Sequence, residues 1–131
     1  MISALPASSA IANSRCQRVA RAPGTLAKTS STTWKLSNVA NTYSGPTVVG
    51  TGTLEVTKLA NVNTVSSIGT GSADGSAGDL VINNFSNSSA APTLRYTGAG
   101  DSTDRLLSIG PGGGTIDASS PTNGALIISS A

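Results

Sequence analysis

The 131-residue chain contains no histidine, one cysteine, four aromatic residues (Trp34, Tyr43, Phe85 and Tyr96) and few charges. Without histidine, the usual Ser-His and Cys-His catalytic arrangements lose their base and zinc loses its commonest ligand. Cys16 stands alone, so no intrachain disulfide can form, and no histidine is present to activate its thiol. No run of eighteen apolar residues occurs, which excludes a transmembrane helix by hydropathy. What remains is dominated by Ser, Thr, Gly and Asn, which supply 61 residues and favour turns and short strands over helices.

The net charge of +2 hides an uneven distribution. Arg15, Arg18, Arg21, Lys28 and Lys35 all precede the first acid, whereas Lys58, Arg95 and Arg105 face six acids further on. The early cations are not interleaved with aromatics and belong to no recognisable binding module, so nucleic acid is not expected as a partner. Residues 1–32 read as a disordered or non-native basic leader. Their Ala, Ser and Arg content suits a transit peptide in composition only. Residues 1–12 lack the basic start and uninterrupted apolar run of a secretory signal.

From Thr33 onward the pattern becomes one of short alternations. Trp34 and Leu36 share one side of a strand, with Lys35 on the other; Leu54 and Val56 flank Glu55 in the same way. Thr47-Val48-Val49 forms a brief strand between turns at Gly45-Pro46 and Gly50-Thr51-Gly52. The alternation returns at Leu80 and Ile82, Leu94 and Tyr96, Leu107 and Ile109, Ile116, and Leu126 and Ile128. Residues 69–78, 83–90 and 110–114 are turn-forming clusters between these strands. No segment from 33 to 131 carries an apolar 3.6-residue period, apart from a loose turn near residues 59–67.

Hairpin sandwiches need tight Asn-Gly or Asp-Gly turns between paired strands. Only Asp74-Gly75 and Asn123-Gly124 qualify, and the first lies in a long loop. A parallel β-solenoid fits better, with residues 33–131 forming four or five coils of about 20 to 25 residues. Leu54, Val56, Leu80, Ile82, Leu94, Tyr96, Leu107, Ile109, Ile116, Leu126 and Ile128 would form its interior ladder. With no terminal cap in the sequence, the stack is expected to be short and incomplete.

Four residue groups invite a chemical reading. Asp117 on a strand, with Asp101 and Asp104 in a neighbouring loop, could form the acidic cluster that glycoside cleavage requires. No basic set accompanies them, and turn-capping explains the loop acids. Asp74 and Asp79 among glycines suggest calcium, but the Gly-Gly-x-Gly-x-Asp period is missing. Residues 110–114 lack the Lys-Ser/Thr of a phosphate loop. Asn84-Phe85-Ser86 and Asn87-Ser88-Ser89 match the glycosylation sequon in a chain where chance matches are frequent. No catalytic, cofactor-binding or metal-binding residue is therefore assigned, and no cofactor is expected.

The run Asn41-Thr42-Tyr43-Ser44-Gly45, then Thr47-Val48-Val49, then Gly52-Thr53-Leu54-Glu55-Val56 resembles the autotransporter-associated β-strand repeat, also called the passenger-associated transport repeat. Leu94-Arg95-Tyr96-Thr97-Gly98, residues 101–106 and residues 113–118 are similar to the continuation found in large repeat-bearing bacterial surface proteins. Pro46 stands where the repeat usually has Gly, and the core motif occurs once. The resemblance implies a right-handed parallel β-helix in a secreted or surface-displayed passenger, associated with the outer membrane. It further implies a non-enzymatic role in export or as an adhesin stalk, with other coils of a longer passenger as partners and surface glycans or host matrix as ligands. The alternative is a carbohydrate-binding or polysaccharide-degrading β-helix.

Overall fold

The computed structural model describes residues 24–72, 80–84, 89–119 and 124–129, which contain ten strands and no helix. In chain order these are β1 (Leu26–Lys28), β2 (Thr33–Leu36), β3 (Thr47–Val49), β4 (Thr53–Val56), β5 (Leu80–Ile82), β6 (Thr93–Tyr96), β7 (Asp101–Thr103), β8 (Leu107–Ile109), β9 (Thr115–Asp117) and β10 (Leu126–Ile128). Every strand pairing is parallel. The sheets run β1-β3-β5-β8, β2-β4-β6-β9 and β10-β7, so each of four passages of the chain adds one strand to both four-stranded walls, and the last two passages also form the third. This is a parallel β-solenoid of four coils.

Why such short strands suffice follows from the corners. Each coil must turn within a few residues, and Gly52 provides one such turn at φ 69°. A methyl group there would stand 2.5 Å from the Ser30 carbonyl oxygen of the preceding coil, so both the left-handed backbone and the close approach demand glycine. Gly45 closes the opposite corner, where a side chain would overlap the Gly24 carbonyl. These contacts bring Thr33 into register with Thr53, and Leu26 with Thr47.

The second coil is longer. Thr53 pairs with Thr93 and Thr47 with Leu80, and the additional chain includes an excursion after β4. That excursion folds back on the first coil through an antiparallel bridge between Asn41 and Ser66. The Asn41 side chain donates to the Ser67 carbonyl at 2.8 Å, and Thr70 N donates to the Tyr43 carbonyl at 2.8 Å. Residues 59–67 contain no helix but do hold a turn, in which the Thr64 amide donates to the Asn61 carbonyl at 3.1 Å.

Leu36, Val49, Leu54, Val56, Leu80, Ile82, Leu94 and Tyr96 fill the interior at 0–1% exposure, as the alternation requires. Two differences from the expected ladder stand out. Ile109 is 53% exposed, and Leu107, Ile116, Leu126 and Ile128 are only half-buried. Among the described residues β8 and β9 are edge strands, so nothing packs on the far side of these positions. Among the described residues the first strand of the stack is Leu26–Lys28, ahead of Thr33. The missing signal was Lys28: it occupies an interior position in register with Val49, Ile82 and Ile109, and a lysine there hides the alternation. Residues 1–23, including Cys16, Arg15, Arg18 and Arg21, lie outside the described residues.

Candidate functional surface

Four triplets of the same composition recur along the chain: Thr33-Trp34-Lys35, Thr53-Leu54-Glu55, Thr93-Leu94-Arg95 and Thr115-Ile116-Asp117. Each sits on a strand of the β2-β4-β6-β9 wall, and the register aligns them residue for residue. The central Trp or aliphatic packs on the core, so period-2 alternation sends the flanking Thr and charged residue outward. The outer face of this wall therefore carries two parallel files. One is a row of four threonines. The other is Lys35, Glu55, Arg95 and Asp117, alternating in sign along the stack.

Neighbours within the charged file pair. Lys35 Nζ lies 3.0 Å from Glu55, and Arg95 Nε donates to Asp117 Oδ2 at 3.0 Å. Asp117 also accepts the Ser119 hydroxyl and the Ser119 amide on Oδ1, and those bonds, ahead of the Arg95 contact, lower its pKa from the ordinary value. The individual triplets are plain in the sequence. Their alignment is not, because the intervals between them differ and the long second coil breaks any fixed period.

The other acids singled out from sequence stand elsewhere. Asp101 lies within β7 rather than in a loop, and its Oδ2 accepts the Tyr96 hydroxyl at 2.8 Å and the Leu59 amide at 3.1 Å. Asp104 accepts the Val62 amide at 2.8 Å, while its own amide donates to the Asn61 side chain at 3.1 Å. Both acids thus accept a backbone amide of the preceding coil, 42 residues back, and Asp101 also bonds within its own corner through Tyr96. They take the place of strand hydrogen bonds where the excursion leaves regular pairing. Asp74, Asp79, Phe85 and Asn87 lie outside the described residues. Among the described residues no group of three potential metal-binding side chains converges.

Two buried cations escaped sequence reading. Arg105 is 1% exposed and donates to the Gly69 carbonyl at 2.7 Å and the Ala60 carbonyl at 3.0 Å, clamping both ends of the excursion. Lys28 is fully buried; its ammonium donates to the Ser30 and Thr51 carbonyls and lies 5.1 Å from the centre of the Trp34 ring. Burial lowers its pKa from 10.5 to about 8. Trp34, Tyr43 and Tyr96 are committed inward, with the Tyr43 hydroxyl 2.7 Å from Thr47 Oγ1, so none of the three presents a flat ring for a sugar to stack on.

Comparison with known proteins agrees with the architecture. Residues 26–56 match the passenger-associated-transport-repeat family, a span that covers the first two coils from β1 to the end of β4. The chain is 43% identical over 108 residues, 82% of its length, to the adhesin BmaC autotransporter of Brucella suis biovar 1 (strain 1330). That match covers 3% of the relative's length. No solved structure matches the chain.

Proposed function

The chain carries a passenger-associated transport repeat, and on that premise we propose that it is a non-enzymatic coil segment of a surface-displayed autotransporter passenger. The observation that carries this reading is the coincidence of the matched repeat with the four in-register strands β1 to β4, joined by motif residues that have structural tasks. Asn41 ties the first coil to the excursion, Tyr43 fills the core, Gly45 permits a corner, and Leu54 and Val56 are interior rungs. In this role the segment extends the passenger away from the outer membrane. Its coils stack as they emerge, and each buried aliphatic rung, worth about 1.5 to 3 kcal/mol, opposes return of the chain. A place in the stalk of an adhesin is the finer form of this reading, supported by the likeness to the Brucella adhesin autotransporter.

The engagement of Asp101, Asp104 and Asp117 in hydrogen bonds to neighbouring groups supports a structural over a hydrolytic role. Purified chain is expected to give no turnover in a reducing-sugar assay against bacterial and host polysaccharides. Turnover that disappears on Asp117→Asn would replace this reading with that of a carbohydrate-active β-helix. For the export role, Leu54→Asp in the passenger that contains this segment is expected to reduce surface labelling of the passenger at unchanged cellular synthesis. Equal labelling of the two would rule out a contribution to export.

A further inference from the structure

We propose that the outer face of the β2-β4-β6-β9 wall is a self-association surface on which a second copy of this chain docks in antiparallel order. The argument is one of sign and symmetry. Read from the first coil to the fourth, the charged file is Lys35, Glu55, Arg95, Asp117: plus, minus, plus, minus. Reversed, it reads minus, plus, minus, plus. A file of this kind is complementary to its own reverse and opposed to its own parallel copy.

A two-fold axis parallel to the strands produces that reversal. Rotation about such an axis, placed between two facing walls, preserves position along each strand and inverts the order of the coils. Lys35 of one copy then faces Asp117 of the other, and Glu55 faces Arg95. The threonine files also coincide, Thr33 opposite Thr115 and Thr53 opposite Thr93. Each hydroxyl both donates and accepts, so this file too is self-complementary. The same patch is used on both copies, as a two-fold interface requires. Lys35 and Arg95 side chains are about half exposed, at 53% and 49%, and remain free to reach across as well as along the file.

The area sets the strength. Four strands about 4.8 Å apart and three residues of about 3.3 Å each give roughly 200 Å² per copy, against about 800 Å² per partner in a stable complex. The contact is therefore transient for this chain alone, and steep in salt, since exposed charges are screened beyond about 10 Å at 0.1 M ionic strength. Such a contact gains strength when several are linked on one polymer or displayed side by side. A two-fold axis along the stack would instead reverse the strands and set the charged file against the threonine file, so the surface favours contacts between oppositely directed chains.

Charge reversal separates the contact between copies from the pairs within one copy. Lys35→Glu gives a minus, minus, plus, minus file whose reverse repels at both ends. Adding Asp117→Lys gives minus, minus, plus, plus, which breaks both intrachain ion pairs yet is again complementary to its reverse. In sedimentation of the full chain in about 20 mM salt, with Cys16→Ser in every variant, wild type is expected to associate at millimolar concentration. Lys35→Glu is expected to weaken association at least tenfold, and the double variant to recover to within threefold. Circular dichroism checks that each variant keeps its β-structure, and Thr33→Cys mixed with Thr115→Cys provides a second measurement on folded chains. The mixture is expected to yield a disulfide-linked heterodimer under mild oxidation, and Thr33→Cys alone no homodimer. A wild type that stays monomeric, a double variant as weak as the single, or ready Thr33→Cys homodimers would each overturn the proposal.

Discussion

The Tyr96 hydroxyl donates to Asp101 Oδ2 at 2.8 Å, across the corner that turns β6 into β7, and the Gly100 amide donates to that hydroxyl at 2.9 Å. The same carboxylate oxygen holds the Leu59 amide of the coil below. One acid therefore joins a corner to its neighbour in the stack. Removing it strands a buried hydroxyl and an amide, and hydrogen bonds to a charged group contribute about 1.5–3 kcal/mol. Asp101→Ala is expected to lower stability by about 2–3 kcal/mol, and Tyr96→Phe by about 1 kcal/mol. In a double-mutant cycle followed by urea unfolding the two losses should fall short of additive by more than about 0.5 kcal/mol, because they share one bond. Additive losses would mean that the pair is not coupled.

Arg105 anchors the excursion by reaching two carbonyls on either side of it, at Ala60 and Gly69, and its planar fork is what allows both bonds at once. Lysine has one nitrogen and cannot make them in the same geometry. Arg105→Lys is expected to cost about 2 kcal/mol and Arg105→Ala more, since a large buried side chain is lost and the Ala60 and Gly69 carbonyls keep only the Thr103 and Ser66 hydroxyls as donors. The loss should be local. Hydrogen exchange of the Asn63 and Thr70 amides, which donate to the Thr70 and Tyr43 carbonyls, should accelerate more than that of the Leu54 and Leu94 amides. Uniform acceleration would show that the clamp supports the whole stack.

The coils were legible where one residue type repeats on one side. Leu54 and Val56, Leu80 and Ile82, and Leu94 and Tyr96 declare themselves by alternation, and all are interior. Two features were hidden for opposite reasons. Lys28 and Arg105 are polar residues inside, which hydropathy reads as outside; only the carbonyls that receive them, brought close by the corners, make burial tolerable. The charged file was hidden because it is a property of register. Glu55 and Arg95 are 40 residues apart in the chain and adjacent in the wall. Asp101 and Asp104 were recognised as hydrogen-bonding acids, but the backbone amides they accept, of Leu59 and Val62, belong to another coil, which no local pattern reveals.

Lys28 gives the stack a pH dependence of unusual sign. Its pKa in the folded chain, about 8, lies below the value of 10.5 that it regains on unfolding. Between these values the unfolded chain binds more protons, so stability rises with pH. From pH 7 to pH 9.5 the gain amounts to about 2 kcal/mol. Tyr43 and Tyr96 act in the other direction: burial raises both pKa values, so their contribution is intact below about pH 10 and is lost as the pH climbs further. The urea midpoint should therefore increase up to about pH 9.5 and fall above pH 10. Lys28→Met should flatten the rise and leave the fall. A wild-type midpoint that is flat or declines between pH 7 and 9.5 would show that the ammonium is not held in a poorly solvated site.

Ile82 and Ile109 occupy successive rungs of one interior column, in register through β5 and β8, yet Ile82 is fully buried and Ile109 is 53% exposed. The side chains are identical, so the difference in what they contribute is one of environment alone. Truncation of a buried isoleucine removes its transfer free energy and leaves a cavity, at a cost of about 2–5 kcal/mol. At Ile109 little area is withdrawn from water and water fills the gap, so the cost should stay below about 1 kcal/mol. Ile82→Ala is therefore expected to shift the urea midpoint several times further than Ile109→Ala. If something covers the fourth coil in solution, the two losses converge, and Ile109→Ala will also change the concentration dependence of unfolding. Comparing both variants at two protein concentrations distinguishes an open edge from one that is covered by association.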